Sequence, residues 1–183
     1  DRSKNPFFDH AEAEYFLALR DGEVVGRIAA IHNRLHNETH HDRVGFFGFF
    51  ESIRDEQVAR ALIDQAGRWL RARGLDRLRG PASFSVNDEF GLLVTGFDSP
   101  NTIMMPHNPD WYPALLESTG LEAVKTLVAF EAGSMDHYVP PKERIVRAVG
   151  LAKERYGITI RSLRLSDFKA EVERIKYLYN KCW

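Results

Sequence analysis

The period of apolar and polar positions changes several times along the chain, and each change marks an element. Tyr15-Phe16-Leu17-Ala18-Leu19-Arg20 and Val24-Val25-Gly26-Arg27-Ile28-Ala29-Ala30-Ile31 are apolar runs joined by Asp21-Gly22. An Asp-Gly pair fits a two-residue turn in which both residues take positive φ, so the spacing predicts a β-hairpin. After a polar stretch, Val44-Gly45-Phe46-Phe47-Gly48-Phe49-Phe50 reads as a buried strand in which glycine allows close backbone approach.

From Asp55 the period becomes helical. Val58, Ala61, Leu62, Ala66, Trp69 and Leu70 share a face, Asp55 is placed to cap the free N–H groups, and Gly74 is a natural stop. Leu75 to Gly80 reads as the next strand. Pro81 to Pro109 is irregular and rich in proline and glycine, a length of connection that usually has a function. A short helix is predicted from Trp111 to Ser118, ended by Gly120, and a strand over Val124 to Glu131. Pro140-Pro141 is expected to open a helix that turns Ile145, Val146, Val149 and Ala152 inward and closes at Gly157. Ile158 to Leu165 reads as a strand, and Ser166 as the cap of a helix with Phe168, Val172, Ile175 and Tyr179 on one face.

The 44% hydrophobic and 11% aromatic content is enough for a buried core. Lys+Arg 25 against Asp+Glu 26 leaves a net charge of -1, which lacks the basic footprint of a nucleic-acid binder. One cysteine, Cys182, forbids an internal disulfide and points to a reducing compartment. No apolar run approaches the ~20 residues that span a bilayer, so a soluble cytoplasmic protein is expected. The chain begins without methionine and stops inside a helical pattern, which suggests a slice of a longer polypeptide.

The order of hairpin, aromatic strand, long helix, strand, short helix and strand resembles the GNAT acetyltransferase superfamily from its second strand onward. The phrases that carry a narrower resemblance, to bacterial proteins with two such modules in tandem, run from residue 5 to about 131. They are Asn5-Pro6-Phe7-Phe8 with His10-Ala11-Glu12, the two strand runs above with Glu51, Arg79-Gly80-Pro81, Asn87-Asp88-Glu89 with Gly91-Leu92-Leu93, and Asn108-Pro109 before Tyr112. The fold expected is a mixed α/β module on a twisted, largely antiparallel sheet. Its parts are a module at 1–137 without its opening strand and helix, a connecting helix at 138–157, and at 158–183 the strand and helix that open a second module. A sister module or a second copy is the expected protein partner.

The resemblance implies acyl-CoA-dependent N-acetylation of a primary amine, with acetyl-CoA as cofactor. Glu51, at the strand end, takes the place of the superfamily's general base, and its neighbouring phenylalanines are expected to desolvate it. Backbone N–H groups at Phe49 and Phe50 would face the thioester. The superfamily's diphosphate signature aligns with Arg54, Gln57, Val58 and Ala59, where Gln57 stands at the central glycine. Physical chemistry opposes that use. A diphosphate needs bare amides and no nearby acids, whereas this turn carries Asp55 and Glu56. A non-catalytic module with a degenerate cofactor site is therefore the alternative. The superfamily's acid tyrosine position is occupied by Leu116. Tyr112 lies one turn earlier, either as a displaced acid or as an apolar anchor. Asn108 falls near the superfamily's helix-opening asparagine and would also serve as an N-cap. Asp88 and Glu89 are candidates to grip a cationic substrate.

His32, His36, His40 and His41 crowd together with Glu38 and Asp42. On a helix, His32, His36 and His40 would align as a zinc face. Their position between two strands, with Asn33, Asn37 and Thr39, favours a polar loop and no metal.

Overall fold

The computed structural model describes residues 2–130 and 140–182. The chain divides into two compact units, 1–126 and 127–183. The expected boundary at residues 137 and 138 and the strand end at Glu131 lie outside the described residues.

In the first unit, strands β1 (Ala11–Arg20) and β2 (Glu23–Asn33) pair antiparallel. The turn between them has φ 52° at Asp21 and 87° at Gly22, the positive pair that the Asp-Gly sequence predicts. β3 (Val44–Ser52) pairs antiparallel with β2. Helix α2 (Glu56–Arg71) then carries the chain back, so β4 (Arg77–Arg79) pairs with β3 in parallel, as a helical crossover allows. The sheet order is β1-β2-β3-β4. A mixed α/β sheet with a crossover helix is the fold class that the sequence predicts.

One face of the sheet is covered by α2, whose Val58, Ala59, Leu62, Ile63, Ala66, Gly67 and Leu70 are buried. They pack with Ile28, Ala30, Phe47 and Phe50. The valine, leucine, isoleucine and phenylalanine side chains among them each contribute about 1.5–3 kcal/mol when fully buried. Ala61 faces solvent; Ala59 and Ile63 take its place on the inner face. The other face carries Ala13, Ala29, Ile31, Val44, Phe46 and Ala82, with Phe7, Phe8, Phe49, Phe84 and Phe90 against them.

Two details of β3 shape the site. β3 and β4 pair only across Val44–Phe46 and Arg77–Arg79 and then part. Beyond the split, the two-residue β5 (Ala82–Ser83), itself paired with β6 (Glu89–Phe90), runs against Gly48 so closely that a Cβ there would lie 2.0 Å from the Ala82 oxygen. The second detail is a bulge. Ala29 pairs with Gly48 and Arg27 with Glu51, so Phe49 and Phe50 together face Ile28. Phe49 adopts φ 49°, the left-handed region that costs a bulky residue energy. The extra residue sends Phe50 to the α2 side and puts Glu51 on the opposite face, beside Arg27.

Several expectations are corrected. The histidine stretch is not a loop but helix α1 (Arg34–His40). Asn33 caps it by accepting from the His36 amide at 3.0 Å, and His41 ends it with φ 51°. Of the polar residues that suggested a loop, Asn33 is its N-cap, whereas Asn37 and Thr39 lie within it. The short helix α3 (Tyr112–Glu117) has Trp111 at its N-cap with no side-chain cap, so Asn108 does not cap it. The described part of Val124 to Glu131 forms no strand.

In the second unit, helix α4 (Glu143–Tyr156) starts beyond the prolines and ends at Gly157. Ile145, Val146 and Val149 do not turn inward; they stay 48%, 56% and 47% exposed. Residues 158 to 164 form no strand, and Ser166 sits inside a 3-10 turn that precedes helix α5 (Phe168–Cys182) without capping it. An isolated apolar segment has no neighbour here to complete a ladder, and strand character needs one. Within this unit Arg161 grips the buried Glu171 with two hydrogen bonds, 2.9 and 3.1 Å. Among the described residues, no helix is long and apolar enough to cross a membrane.

Candidate active site at the β3 split

Where β3 and β4 part, the free edge of β3 is met by Tyr112 from α3. Its hydroxyl accepts from the Ser52 amide at 3.1 Å and stands 3.4 Å from Glu51 Oε2, to which it donates. The ring is buried against Phe50, 5.5 Å between centroids. α3 is held in place by Arg60 of α2, which donates to the Ser118 carbonyl. Burial, reinforced by the nearby Glu51 carboxylate, pushes the Tyr112 phenol above its usual 10.0. The phenol is therefore a neutral donor at ordinary pH, aimed at a carboxylate.

Glu51 is not desolvated by its phenylalanine neighbours as expected. The bulge turns its side chain outward, where it is 60% exposed and 3.4 Å from Arg27. The structure thus brings together Glu51 and Tyr112, 61 positions apart in the chain, and adds Arg27 and Ser52, which sequence reasoning missed. Arg27 had a signal, since a hairpin and the following strand fix which residues lie side by side. Ser52 had none.

The strand-edge amide of Phe49 is already engaged, donating to Ser83 Oγ at 3.1 Å. Val58 and Ala59 are core residues, 6% and 0% exposed. Arg54 is exposed in the bend before α2. Asn108 is buried and spent on the backbone: it accepts from the Leu93 amide at 2.8 Å and donates to the Leu93 and Pro109 carbonyls. Asp88 is exposed in a turn, accepting from Ser85 Oγ at 2.7 Å, and Glu89 is exposed in β6, paired with Ser83.

The turn that opens α2 does not fit a coenzyme diphosphate. Asp55 accepts from the amides of Gln57 (2.8 Å) and Val58 (3.3 Å). Its second oxygen accepts from Arg20 at 2.8 Å. The Arg20 hydrogen bond, followed by those two amides, holds the Asp55 carboxyl below its ordinary range. The helix start already has an anion, with a counter-ion of its own.

The histidines do not form a zinc face. His36 and His40 stack on α1 with centroids 4.4 Å apart, whereas His32 stays in β2, 3.3 Å from Glu12. Among the described residues no cluster of ligating side chains could hold a metal ion.

A sheet split beside a crossover helix thus brings an acid and a phenol together at the split. Residues 1–82 match the model of the Acetyltransferase (GNAT) family. The chain is 34% identical over 182 residues to Protein YghO of Escherichia coli (strain K12), covering 99% of this chain and 45% of that protein. It is 37% identical over 180 residues to the Bacterial ceramide synthase of Caulobacter vibrioides (strain NA1000 / CB15N), covering 98% of this chain and 46% of that protein. The chain thus spans just under half the length of these relatives. No solved structure matches.

Proposed function

We propose that the chain supplies the acceptor side of an N-acyltransferase site that joins an acyl group, delivered as a thioester, to a primary amine. The observation that carries this is the contact between Glu51 and Tyr112 at the split of β3. A carboxylate within hydrogen-bond reach of the incoming nitrogen takes its proton, and a neutral phenol beside it is placed to return one. The family supports an acyltransferase, and one relative is named for making ceramide, which is itself an amide. The diphosphate of a coenzyme A donor is not assigned to the turn at Asp55.

A second reading, a non-catalytic module with a degenerate cofactor site, is favoured by one observation: the Asp55 carboxylate fills the place of the diphosphate at α2.

The two separate in a single assay. The chain is incubated with hexylamine and either acetyl-CoA or acetyl-N-acetylcysteamine, a thioester without a diphosphate. The acyltransferase reading expects amide from both donors and a loss of about a hundredfold or more in Glu51→Gln, the usual contribution of a general base. Equal rates for Glu51→Gln and the unaltered chain sink it, and absence of amide with either donor supports the second reading.

A further inference from the structure

The outer face of the sheet carries an open groove of about 250 Å³, lined by Tyr15, Phe16, Leu17, Arg27, Ile28 and Phe49. Two of its lining rings, Tyr15 and Phe49, meet edge to face at 6.1 Å. Tyr15 and Leu17 are 46% and 62% exposed, so apolar surface is presented to solvent beside the candidate site. Leu17 is in register with Arg27, and Arg27 with Glu51. The groove therefore ends at Arg27, and the carboxylate that Tyr112 touches lies one strand spacing beyond it.

Resting on the reading of Glu51 as the acceptor end, we infer that this groove receives the alkyl tail of an amphiphilic primary amine whose ammonium sits at Glu51. The groove is smaller than the roughly 300–1,000 Å³ that encloses a compact drug-sized ligand. Open on one side, it suits an unbranched chain. The charges choose between occupants. A second protein surface laid over this face would bury Arg27 and Glu51 in an apolar contact, which costs more than their attraction returns. An amphiphilic amine covers the apolar wall and leaves its head in water. Arg27 is the competitor for Glu51, but the two are 3.4 Å apart and both more than half exposed. Such a pair is weak and is readily exchanged for an ammonium.

The test titrates dodecylamine, hexylamine and dodecanol, each below self-association, into the chain by calorimetry, with circular dichroism verifying that each variant folds. Each fully buried methylene is worth up to about fourfold in affinity, so dodecylamine binds at least about tenfold more tightly than hexylamine even on an open groove. Leu17→Asp weakens dodecylamine and dodecanol alike, Glu51→Gln weakens only the amine, and Arg27→Met strengthens it. Equal affinity for the two amines, indifference to Leu17→Asp, or dimerisation of the chain that Leu17→Asp abolishes overturns the groove. Amide formation with hexylamine keeps the two proposals apart. If Glu51→Gln abolishes it while Leu17→Asp leaves dodecylamine binding unchanged, the groove falls and the acceptor site stands. If both variants weaken dodecylamine binding while Glu51→Gln still makes amide, the groove stands and the catalytic reading falls.

Discussion

The Tyr112 hydroxyl accepts the Ser52 amide at 3.1 Å, which fastens α3 to an edge of β3 that no strand covers. A side chain here takes the hydrogen bond that a neighbouring strand would take. Tyr112→Phe keeps the ring on Phe50 but orphans the amide. It is expected to cost about 1 kcal/mol in urea denaturation, the usual worth of one such bond. Amide formation should fall as well, because the phenol that faces Glu51 is gone. Burial keeps that phenol protonated up to its usual 10.0 and beyond, so Tyr112 itself causes no loss of rate below that pH. A pH–rate profile with an alkaline limb near neutrality that disappears in Tyr112→Phe would contradict this.

Gly48 leaves no room for a side chain. A Cβ would meet the Ala82 oxygen at 2.0 Å and the Ser83 Cα at 3.0 Å, both backbone. Gly48→Ala should destabilise by about 1–3 kcal/mol or more, the cost of forced overpacking. Gly150→Ala is the control. In α4 that position is open and has no left-handed backbone, so the variant should gain about 0.4–1 kcal/mol. Chemical denaturation of both variants tests the contrast.

Acid should loosen the α1 region in two stages. Burial lowers the His36 pKa below its ordinary 6.5, in spite of Asp42 nearby. The unfolded chain therefore binds the proton first, and stability falls as pH drops below about 6.5, a slope that His36→Gln should flatten. Burial opposes ionisation of Asp42, but hydrogen bonds from Asn37 and the Val44 amide, with His36 3.5 Å away, outweigh it and hold the carboxyl below 3.8. Its contribution is present above that value and is lost on further acidification. Denaturation midpoints measured across this range in both proteins provide the check.

Removing the anion at α2 should open the turn. Asp55→Ala frees the Gln57 and Val58 amides and releases Arg20, so the melting temperature falls. Coenzyme A affinity, read by calorimetry, should rise about tenfold as the carboxylate's repulsion disappears. Tight binding by the unaltered chain that Asp55→Ala leaves unchanged would show that the turn is not closed.

The local signals in the sequence were those whose cause is local. Asp21-Gly22 specifies its own turn, and Asp55 caps the helix that follows it. The 3.6 period from Val58 to Leu70 identifies the buried face, apart from Ala61. Residues 124–130 and 158–164 form no strand, because apolar content alone does not supply a pairing partner. Asn33 reads as a loop residue, yet the same side chain that breaks a strand also starts a helix. Glu51 was legible as a strand-end acid, but not its outward turn, which depends on one unpaired residue in β3. The contact with Tyr112 spans sixty-one positions and depends on the split of two strands, which no spacing encodes.

Alternation in a strand is binary, so the extra residue at Phe49 acts as a parity switch. The same sequence paired without the bulge would send the aromatic at position 50 outward and fold the carboxylate toward the interior, whereas deletion of Phe49 would leave Phe50 opposite Ile28 and Glu51 opposite Arg27. Loss of the bulge with its residue retained would thus move a charge from water to the core, and sequences of equal length that align well could still differ in which side of the sheet carries their acid.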